Sequence, residues 1–199
     1  NGDPLWYMDE EDENHNPTGK RVTTNDYGSA DYYYVNKSSL PKVYGGFNTS
    51  LSWKGFDLSA IFAYSIGGYI YNRDITMILH NGSLEGRDWS TEILKRWTPD
   101  NRNTDVPALS TTTNNWNSAS TRFLQNNSYM RLKNLTLSYN LPKQWISKLS
   151  LSSVQVYVQG DNLFTIHRNQ GLDPEQGITG ITYYRYPAMR TISGGINVS

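Results

Sequence analysis

The chain has 199 residues, enough for one domain or for a piece of a larger protein. Lysine plus arginine number 18, as do aspartate plus glutamate, so the basic excess typical of nucleic-acid binders is absent. There is no cysteine, which excludes disulfides and thiolate zinc sites, and the three histidines lack metal-ligand spacing. We therefore expect neither a metal nor another cofactor.

The composition combines low overall apolarity with many aromatic rings. Apolar residues make up 37% and aromatics 13%, with 15 tyrosines and 6 tryptophans. Disordered chains are poor in aromatics, so disorder does not explain this combination. A transmembrane β-barrel does, because its strands need apolar side chains only on the lipid face. The sequence contains no run of 18 apolar residues and so predicts no transmembrane helix.

The first 41 residues are predicted to form a long polar loop. The acidic run Asp9–Glu13 is followed by the turn-forming residues Asn16–Gly19. Because the acidic run lacks the ligand spacing of a calcium loop, we interpret it as solvated surface. Asn1 is not a start methionine, and we expect that a preceding part of the protein lies outside these residues.

Two strands, about 43–54 and 56–66, are predicted next and are joined at Lys54–Gly55 as a hairpin. Each has about ten residues, the length that a tilted strand needs to cross a membrane. Apolar side chains alternate with small or polar ones, and only Ile61 on the polar face breaks the pattern. The apolar face carries Phe47, Thr49, Leu51, Trp53, Phe56, Leu58, Ala60, Phe62, Tyr64 and Ile66.

A second long connection, residues 67–127, contains one predicted short helix at 90–97 with Asp88 or Ser90 as its cap. Three more strands follow, at about 129–140, 151–164 and 189–199. The first two are separated by a short link after Leu141-Pro142 with about one helical turn, and the last two by a third loop. Period-two alternation places Leu135, Leu137, Tyr139, Val154, Val156, Val158, Ile192, Ile196 and Val198 on the apolar face.

The connections alternate between long and short, which is typical of outer-membrane barrels with short periplasmic turns and long outer loops. This pattern predicts a periplasmic C-terminus and places residues 1–41 outside the cell as an extracellular loop. An open five-stranded sheet would leave unpaired edges in hydrocarbon, so further strands must complete it. The predicted fold is all-β, with residues 42–199 forming part of an antiparallel transmembrane β-barrel.

Six segments in order resemble the C-terminal region of the SusC/RagA family. Together they span nearly the whole chain, and their order and spacing also agree with that family. The segments are LPKVYGGF (40–47), KGFDLS (54–59), SYMRLKNLTLSYNLP (128–142), GDNLFT (160–165), GLDPE (171–175) and YPAMRT (186–191).

The resemblance implies a TonB-dependent transporter of the outer membrane of Bacteroidetes. It further implies a barrel of about 22 strands around an N-terminal plug, of which this chain supplies roughly the last five. The implied partners are a SusD-like lid lipoprotein, the TonB complex acting on a segment outside this chain, outer-membrane lipid, and an oligosaccharide or peptide as cargo. Such barrels usually end in an aromatic residue, so we expect one to follow Ser199.

Catalysis has no support in the sequence, which carries no nucleophile motif, metal-ligand cluster or phosphate loop. Asp173 and Glu175 are of the residue type used in glycoside hydrolysis, but beside Pro174 they are better interpreted as part of a turn. We assign no transport role to Arg131 and Arg190, which are predicted near the outer strand ends in contact with lipid headgroups or loops. We conclude that the chain is not an enzyme.

Binding of cargo is better supported, since sugars stack on aromatic rings and hydrogen bond to amides and carboxylates. The alternatives are that the loop aromatics pack on neighbouring loops or the lid, and that the lumen-facing side chains hydrogen bond to the plug or water. At the level of the whole protein, a passive or structural barrel and a soluble β-sandwich that binds carbohydrate remain open. The candidate binding residues are Trp6, Tyr7, Trp116, Tyr183 and Tyr184 in loops, and Asn134, Gln155, Gln159 and Asp161 on the lumen face.

Overall fold

The computed structural model describes residues 2–82, 84, 86–110, 115–149, 151–169, 171–175 and 177–199. The chain divides into two compact units. The sheet unit comprises residues 37–71 and 125–199, and the loop unit comprises residues 1–36 and 72–124. Among the described residues, no helix is long and apolar enough to cross a membrane.

The sheet unit is built on five antiparallel strands. They are β3 (Val43–Trp53), β4 (Phe56–Ile66), β7 (Tyr129–Asn140), β8 (Val154–His167) and β10 (Thr191–Val198). Their order in the sheet is β10-β8-β7-β4-β3. β4 and β7 have the predicted bounds, and β3 ends one residue before its predicted end. β8 begins and ends three residues later than predicted, and β10 begins two residues later and ends one residue earlier. Among the described residues β3 pairs only with β4, and β10 only with β8, so the sheet is open at both edges.

The hairpin between β3 and β4 confirms the predicted tight turn. Lys54 and Gly55 have φ angles of 47° and 88°, as the two-residue turn that matches strand twist requires. A Cβ on Gly55 would lie 3.1 Å from the Asn140 carbonyl oxygen, so both the backbone conformation and the neighbouring strand favour glycine.

The pairing register gives the sheet one apolar and one polar face, as the alternation predicts. Opposed residues share a face, so Leu58 lies between Leu51 and Leu137, while Ser59 lies between Ser50 and Thr136. The apolar face is uncovered: Leu51 is 66% exposed and Ile196 65% exposed. A β-sandwich would bury such a face beneath a second sheet, so the exposure does not favour that alternative.

A β-bulge at Lys133 resets the alternation in β7. Ile61 pairs with Asn134 and Phe62 with Leu132, so Lys133 is the extra residue on β7. As a result Leu132 joins the apolar face, and Arg131 lies on the polar face with Asn134. On β8 the register also shifts at this level, where Asn162 has a φ of 52°.

Shorter elements surround the ends of the five strands. A small sheet is formed by Leu124–Asn126 (β6), Tyr69–Asn72 (β5) and Ile181–Thr182 (β9), in the order β6-β5-β9. Between β7 and β8, helix α2 (Lys143–Ile146) and a 3-10 turn (Ser147–Leu149) confirm the predicted short helical link. The connection predicted simply as the second long loop therefore contains strands at both of its ends.

The segment predicted as a long polar loop, residues 1–41, contains regular structure that the sequence did not predict. Strands β1 (Trp6–Glu11) and β2 (Pro17–Thr24) make an antiparallel hairpin. The acidic run pairs with a basic strand, with Asp9 opposite Arg21 and Lys20 Nζ 4.0 Å from Glu10. This charge compensation, which sequence distance concealed, lets an acidic segment form a strand.

A small apolar core stabilises the rest of the loop unit. Its buried members are Leu79, Ile93, Val106 and Trp116. Helix α1 (Arg73–Ile78) and a 3-10 helix (Thr91–Lys95) contribute to it, and the latter lies where the sequence predicts a helix. Ser90, one of the two predicted caps, accepts a hydrogen bond from the Glu92 backbone N–H.

Candidate functional site

Three of the predicted lumen-facing residues meet on the polar face. Asn134 Nδ2 donates to Asp161 Oδ1 at 2.7 Å, and Gln159 Nε2 donates to Asp161 Oδ2 at 3.2 Å. Thr136 adds a hydroxyl that donates to Asn134 Oδ1 at 2.9 Å. The pairing of β7 with β8 places these side chains in adjacent rows, so they form one hydrogen-bonded patch, which we call the amide patch.

Gln155, the fourth predicted residue, lies apart from the amide patch. It is six residues from Asp161 along β8, roughly 20 Å away. Its amide donates to Ser138 Oγ at 3.3 Å and its carbonyl accepts from Asn197 Nδ2 at 3.1 Å. Gln155 therefore bridges β7 and β10 near the C-terminal end of the chain.

The most buried charge among the described residues of the sheet unit is Arg131, for which the sequence predicted no transport role. The side chain is 3% exposed. Its Nη2 pairs with Asp173, its Nη1 with Glu175 at 2.9 Å, and its Nε donates to Thr165 Oγ1 at 2.8 Å. Of the two expected contacts, lipid headgroups or loops, the structure shows the second, because two carboxylates of the third loop enclose the guanidinium.

Lys133 completes this cluster, which we call the Arg131 network. Its Nζ lies 2.6 Å from each carboxylate oxygen of Glu175. Two positive and two negative side chains thus balance, and the buried pair, Arg131 and Asp173, is compensated as buried charges require. The sequence of the segment Gly171–Glu175 does not indicate which cations its carboxylates pair with. The β7 bulge that brings Arg131 and Lys133 towards these carboxylates cannot be predicted from the sequence either.

Asp173 is the most tightly bound member of the network. It is 6% exposed and accepts from the backbone N–H groups of Ala188 at 2.7 Å and Glu175 at 2.9 Å. Burial alone would raise its pKa, but the two backbone hydrogen bonds and the Arg131 guanidinium outweigh burial and lower the pKa below its usual value. The carboxylate is therefore committed to its partners and unsuited to donate a proton in hydrolysis.

The residue between the two carboxylates is buried as well. Pro174 is fully buried, and its carbonyl accepts from Asn127 Nδ2 at 2.8 Å. Asn127 Oδ1 in turn accepts from the buried Asn169 Nδ2 at 2.8 Å. The segment predicted to be a turn is thus an attachment point between the third loop and the start of β7.

The aromatic candidates do not form one cluster. Tyr183 and Tyr184 lie together in the sheet unit, with ring centroids 4.1 Å apart at a tilt of 47°. Trp6 and Tyr7 belong to the hairpin of the loop unit, where Trp6 contacts Tyr27 edge to face at 5.3 Å and Tyr7 is largely exposed. The first pair offers an exposed double ring for stacking, and the hairpin offers Tyr7.

Trp116 corrects the set of candidates. It is 4% exposed and belongs to the apolar core of the loop unit, so its ring is not offered to a ligand. Trp116 instead has the alternative role considered for the loop aromatics, which is packing on neighbouring loop segments. The tract that surrounds it in sequence is polar, which led the residue to be considered as a binding candidate.

The chemistry of these residues is hydrogen bonding and ring contact. Among the described residues no group of three or more His, Asp or Glu side chains could hold a metal ion. Amides, hydroxyls and one carboxylate in the amide patch can both donate and accept. Such a surface suits a polar ligand or a polar protein segment.

Comparison with known proteins shows similarity to TonB-dependent receptors. No protein-family model matches it. TonB-dependent receptor P3 of Formosa agariphila is 35% identical over 164 residues, 77% of this chain and 16% of the relative. TonB-dependent receptor SusC of Bacteroides thetaiotaomicron is 27% identical over 96% of this chain and 19% of the relative. The chain thus spans less than a fifth of these curated relatives.

Solved structures agree with the sequence comparison. A structure of the RagAB peptide transporter matches 99% of this chain and 21% of its own chain, with a TM-score of 0.81 and 34% identity. The RagAB peptide importer in the "open-open" state matches with a TM-score of 0.80 and 33% identity. All these relatives are receptors or transporters, which confirms that the chain is not an enzyme. The chain belongs to the TonB-dependent receptors of the SusC/RagA kind.

Proposed function

We propose that this chain is the C-terminal part of the barrel of an active outer-membrane importer that is driven through TonB. In this proposal the importer takes up oligosaccharides or peptides and works with a SusD-like lid lipoprotein. The observation that carries it is a sheet with an uncovered apolar face and a hydrogen-bonded polar face, in a chain that belongs to the TonB-dependent receptors.

The two faces support a membrane position. Side chains such as Leu51, Leu137 and Ile196 would be costly to expose to water over a continuous surface, but they match the hydrocarbon of a bilayer. The open edges of β3 and β10 would pair with strands from the rest of the receptor, giving a closed barrel of about 22 strands.

The connections support an orientation. Lys54–Gly55 and the short helical link lie at the same end of the sheet as Val198, while the long connections lie at the other end. Short connections are periplasmic in outer-membrane barrels. We therefore propose that the C-terminus is periplasmic and that the β1–β2 hairpin of residues 1–41 is extracellular.

The cargo path is proposed to follow the polar face. Asn134, Gln159 and Asp161 supply donors and acceptors for a polar ligand or for the plug, and Tyr183 with Tyr184 supplies rings for stacking. The similar RagAB structures are described as a peptide transporter, which supports peptides as one class of cargo. Tyr7 on the hairpin is proposed as an outer contact for the lid or the cargo.

The orientation is tested by labelling single cysteines with a membrane-impermeant maleimide on intact cells. The absence of native cysteine in this chain keeps the background low, in a full-length receptor freed of any others. Asn14→Cys at the hairpin tip is expected to react on intact cells. Gln144→Cys, in the short link, is expected to react only after the outer membrane is opened. The reverse pattern would overturn the orientation.

Energy coupling separates the importer from a passive or structural barrel. Uptake of a labelled malto-oligosaccharide and of a labelled peptide mixture is measured in cells with and without TonB, and with and without the lid gene. The proposal predicts loss of uptake without TonB. Equal uptake in both strains would show a passive pore, and no uptake in any strain would contradict the proposed cargo.

A further inference from the structure

We infer that Arg131 is a positioning residue for cargo uptake: it fastens the 168–190 loop across the polar face and thereby fixes the Tyr183–Tyr184 pair. The inference rests on the proposed function, since the pair is proposed to contact cargo. The described residues of this loop are 168–169, 171–175 and 177–190.

The path of the loop follows from its hydrogen bonds. The loop leaves β8 after His167 and returns to β10 at Thr191, and β10 is the strand next to β8 in the sheet. Instead of spanning that gap directly, it meets Arg131 and Lys133 of β7 through Asp173 and Glu175. The loop then reaches strand β5, where the backbone N–H of Tyr71 donates to the Gly180 carbonyl at 2.7 Å.

A second contact shows that the tip of the loop, near residues 178–180, lies beside the segment that precedes β3. Ser39 Oγ donates to the Ile178 carbonyl at 2.9 Å, and strand β9 adds to the edge of β5. A Cβ on Gly180, whose φ is 76°, would lie 2.8 Å from Ser39 Cβ. The loop tip is therefore closely packed against the segments that flank β4 and β3, which lie three and four strands away from β10.

The tyrosine pair lies between two fixed points of this loop. On one side β9 ends at Thr182, which is buried. On the other side the Ala188 N–H donates to Asp173, whose carboxylate also pairs with Arg131. The outgoing part of the loop, at Asp173, is thus hydrogen bonded to the returning part, at Ala188, and Arg131 holds Asp173 in place.

Geometry explains why arginine is needed. The guanidinium engages Asp173, Glu175 and Thr165 through three different nitrogens. A lysine at this position offers a single nitrogen and could keep only part of that set. A methionine has similar bulk, offers no donor and leaves two carboxylates facing each other, with Lys133 as their remaining cation.

The test uses the full-length receptor with its lid. Two variants change the network, Arg131→Met and Arg131→Lys, and Arg190→Met is the control. Arg190 is an exposed arginine directly before β10. Hydrogen exchange of the loop amides is measured by mass spectrometry. We expect at least tenfold faster exchange over 177–188 in Arg131→Met, an intermediate effect in Arg131→Lys, and wild-type exchange in Arg190→Met.

A second measurement asks whether loosening the loop acts through the tyrosines. Initial uptake rates of the labelled malto-oligosaccharide and peptide mixture are compared for Arg131→Met and for Tyr183→Ala/Tyr184→Ala. We expect both variants to raise KM severalfold while the maximal rate stays within about twofold. Exchange within β4, residues 56–66, serves as the check that the sheet remains folded.

The outcomes separate this inference from the proposed function. Unchanged loop exchange in Arg131→Met with a folded sheet would overturn the inference while leaving the importer intact. Faster exchange with normal KM would show that Arg131 has only a structural role. If the wild-type receptor takes up neither probe, the proposed function fails, and the role of Arg131 in uptake fails with it. If Arg131→Met does not assemble, Arg131→Lys decides by the same criteria.

Discussion

The two units of this chain place their apolar side chains in opposite ways. The loop unit buries Leu79, Ile93, Val106 and Trp116 in a small core, as a water-soluble fold does. The sheet unit leaves most large apolar side chains of its five strands exposed and buries a charged arginine. The difference supports the two surroundings of the proposed barrel: water around the loops, and hydrocarbon against one face of the sheet.

The difference extends to buried polar groups. In the sheet unit Arg131 is charged and balanced by carboxylates, whereas in the loop unit His80 is buried and neutral. His80 Nδ1 accepts from the Gly82 and Leu84 backbone N–H groups and from Trp89 Nε1, at 3.1 to 3.4 Å. An imidazole nitrogen that accepts hydrogen bonds carries no proton. Of these two buried side chains, Arg131 is therefore held by ion pairs, and His80 is held by neutral hydrogen bonds.

The largest effect is expected from emptying the core of the loop unit. Leu79→Ala removes a buried side chain and should cost about 2–5 kcal/mol of local stability. Leu94→Ala, at a position that is 73% exposed, should change it by no more than about 0.5 kcal/mol. Hydrogen exchange of residues 75–79 and 93–106 in the full-length receptor measures both. Equal effects would contradict the core assignment.

A smaller effect should distinguish the two carboxylates of the Arg131 network. Asp173→Asn leaves a buried guanidinium with one anion and should cost about 3 kcal/mol of loop stability. Glu175→Gln alters a carboxylate that is 35% exposed and screened by water, so about 1 kcal/mol or less is expected. Exchange over residues 177–188 reports both changes. A larger effect at Glu175 would show that Asp173 does not dominate the network.

Most of the sheet could be predicted from the sequence because alternation and membrane-length strands are local signals. The faces of β4 and the turn at Lys54–Gly55 follow from neighbouring residues alone. The bulge at Lys133 could not be predicted, since it depends on register with two other strands. The β1–β2 hairpin was missed because its acidic strand is stabilised by basic residues across the turn.

The candidate site was predictable only in part. Alternation brought Asn134, Gln159 and Asp161 to one face, but the strand pairing that joins them spans 27 residues of sequence. The Arg131 network was missed because its paired cations and carboxylates lie more than forty residues apart, and each residue alone fits a turn or a strand end. Trp116 was misjudged because burial in the loop core arises from distant segments.

Acidification should loosen the two units in different pH ranges. Burial lowers the pKa of His80; a backbone hydrogen bond with Arg87 raises it and the Arg87 charge lowers it, and burial prevails. The unfolded state then takes up a proton below about pH 6.5, while the folded state resists, so stability is complete above that pH and falls towards the lower folded pKa. Asp173 also has a lowered pKa, so its contribution persists down to about pH 4 and is lost below it.

Protection factors between pH 7 and pH 5 test this difference. Those of residues 75–82 should fall by at most tenfold per pH unit, as one proton allows, while those of 177–188 should stay constant. His80→Gln, which removes the titrating group, should flatten the response of residues 75–82. A parallel fall in both segments would show that one shared transition, and not His80, governs the loop unit.

The smallest effect is expected at the indole nitrogen of Trp116. Within the described residues Nε1 is buried without a hydrogen-bond partner, so Trp116→Phe removes an unsatisfied donor together with part of the ring. Loss of packing and loss of the unpaired donor oppose each other, and a net change below about 1 kcal/mol is expected. Exchange of residues 75–79 measures it against Leu79→Ala. A cost as large as that of Leu79→Ala would mean that the nitrogen has a partner in the full-length receptor, which would make this core an interface with another part of the protein.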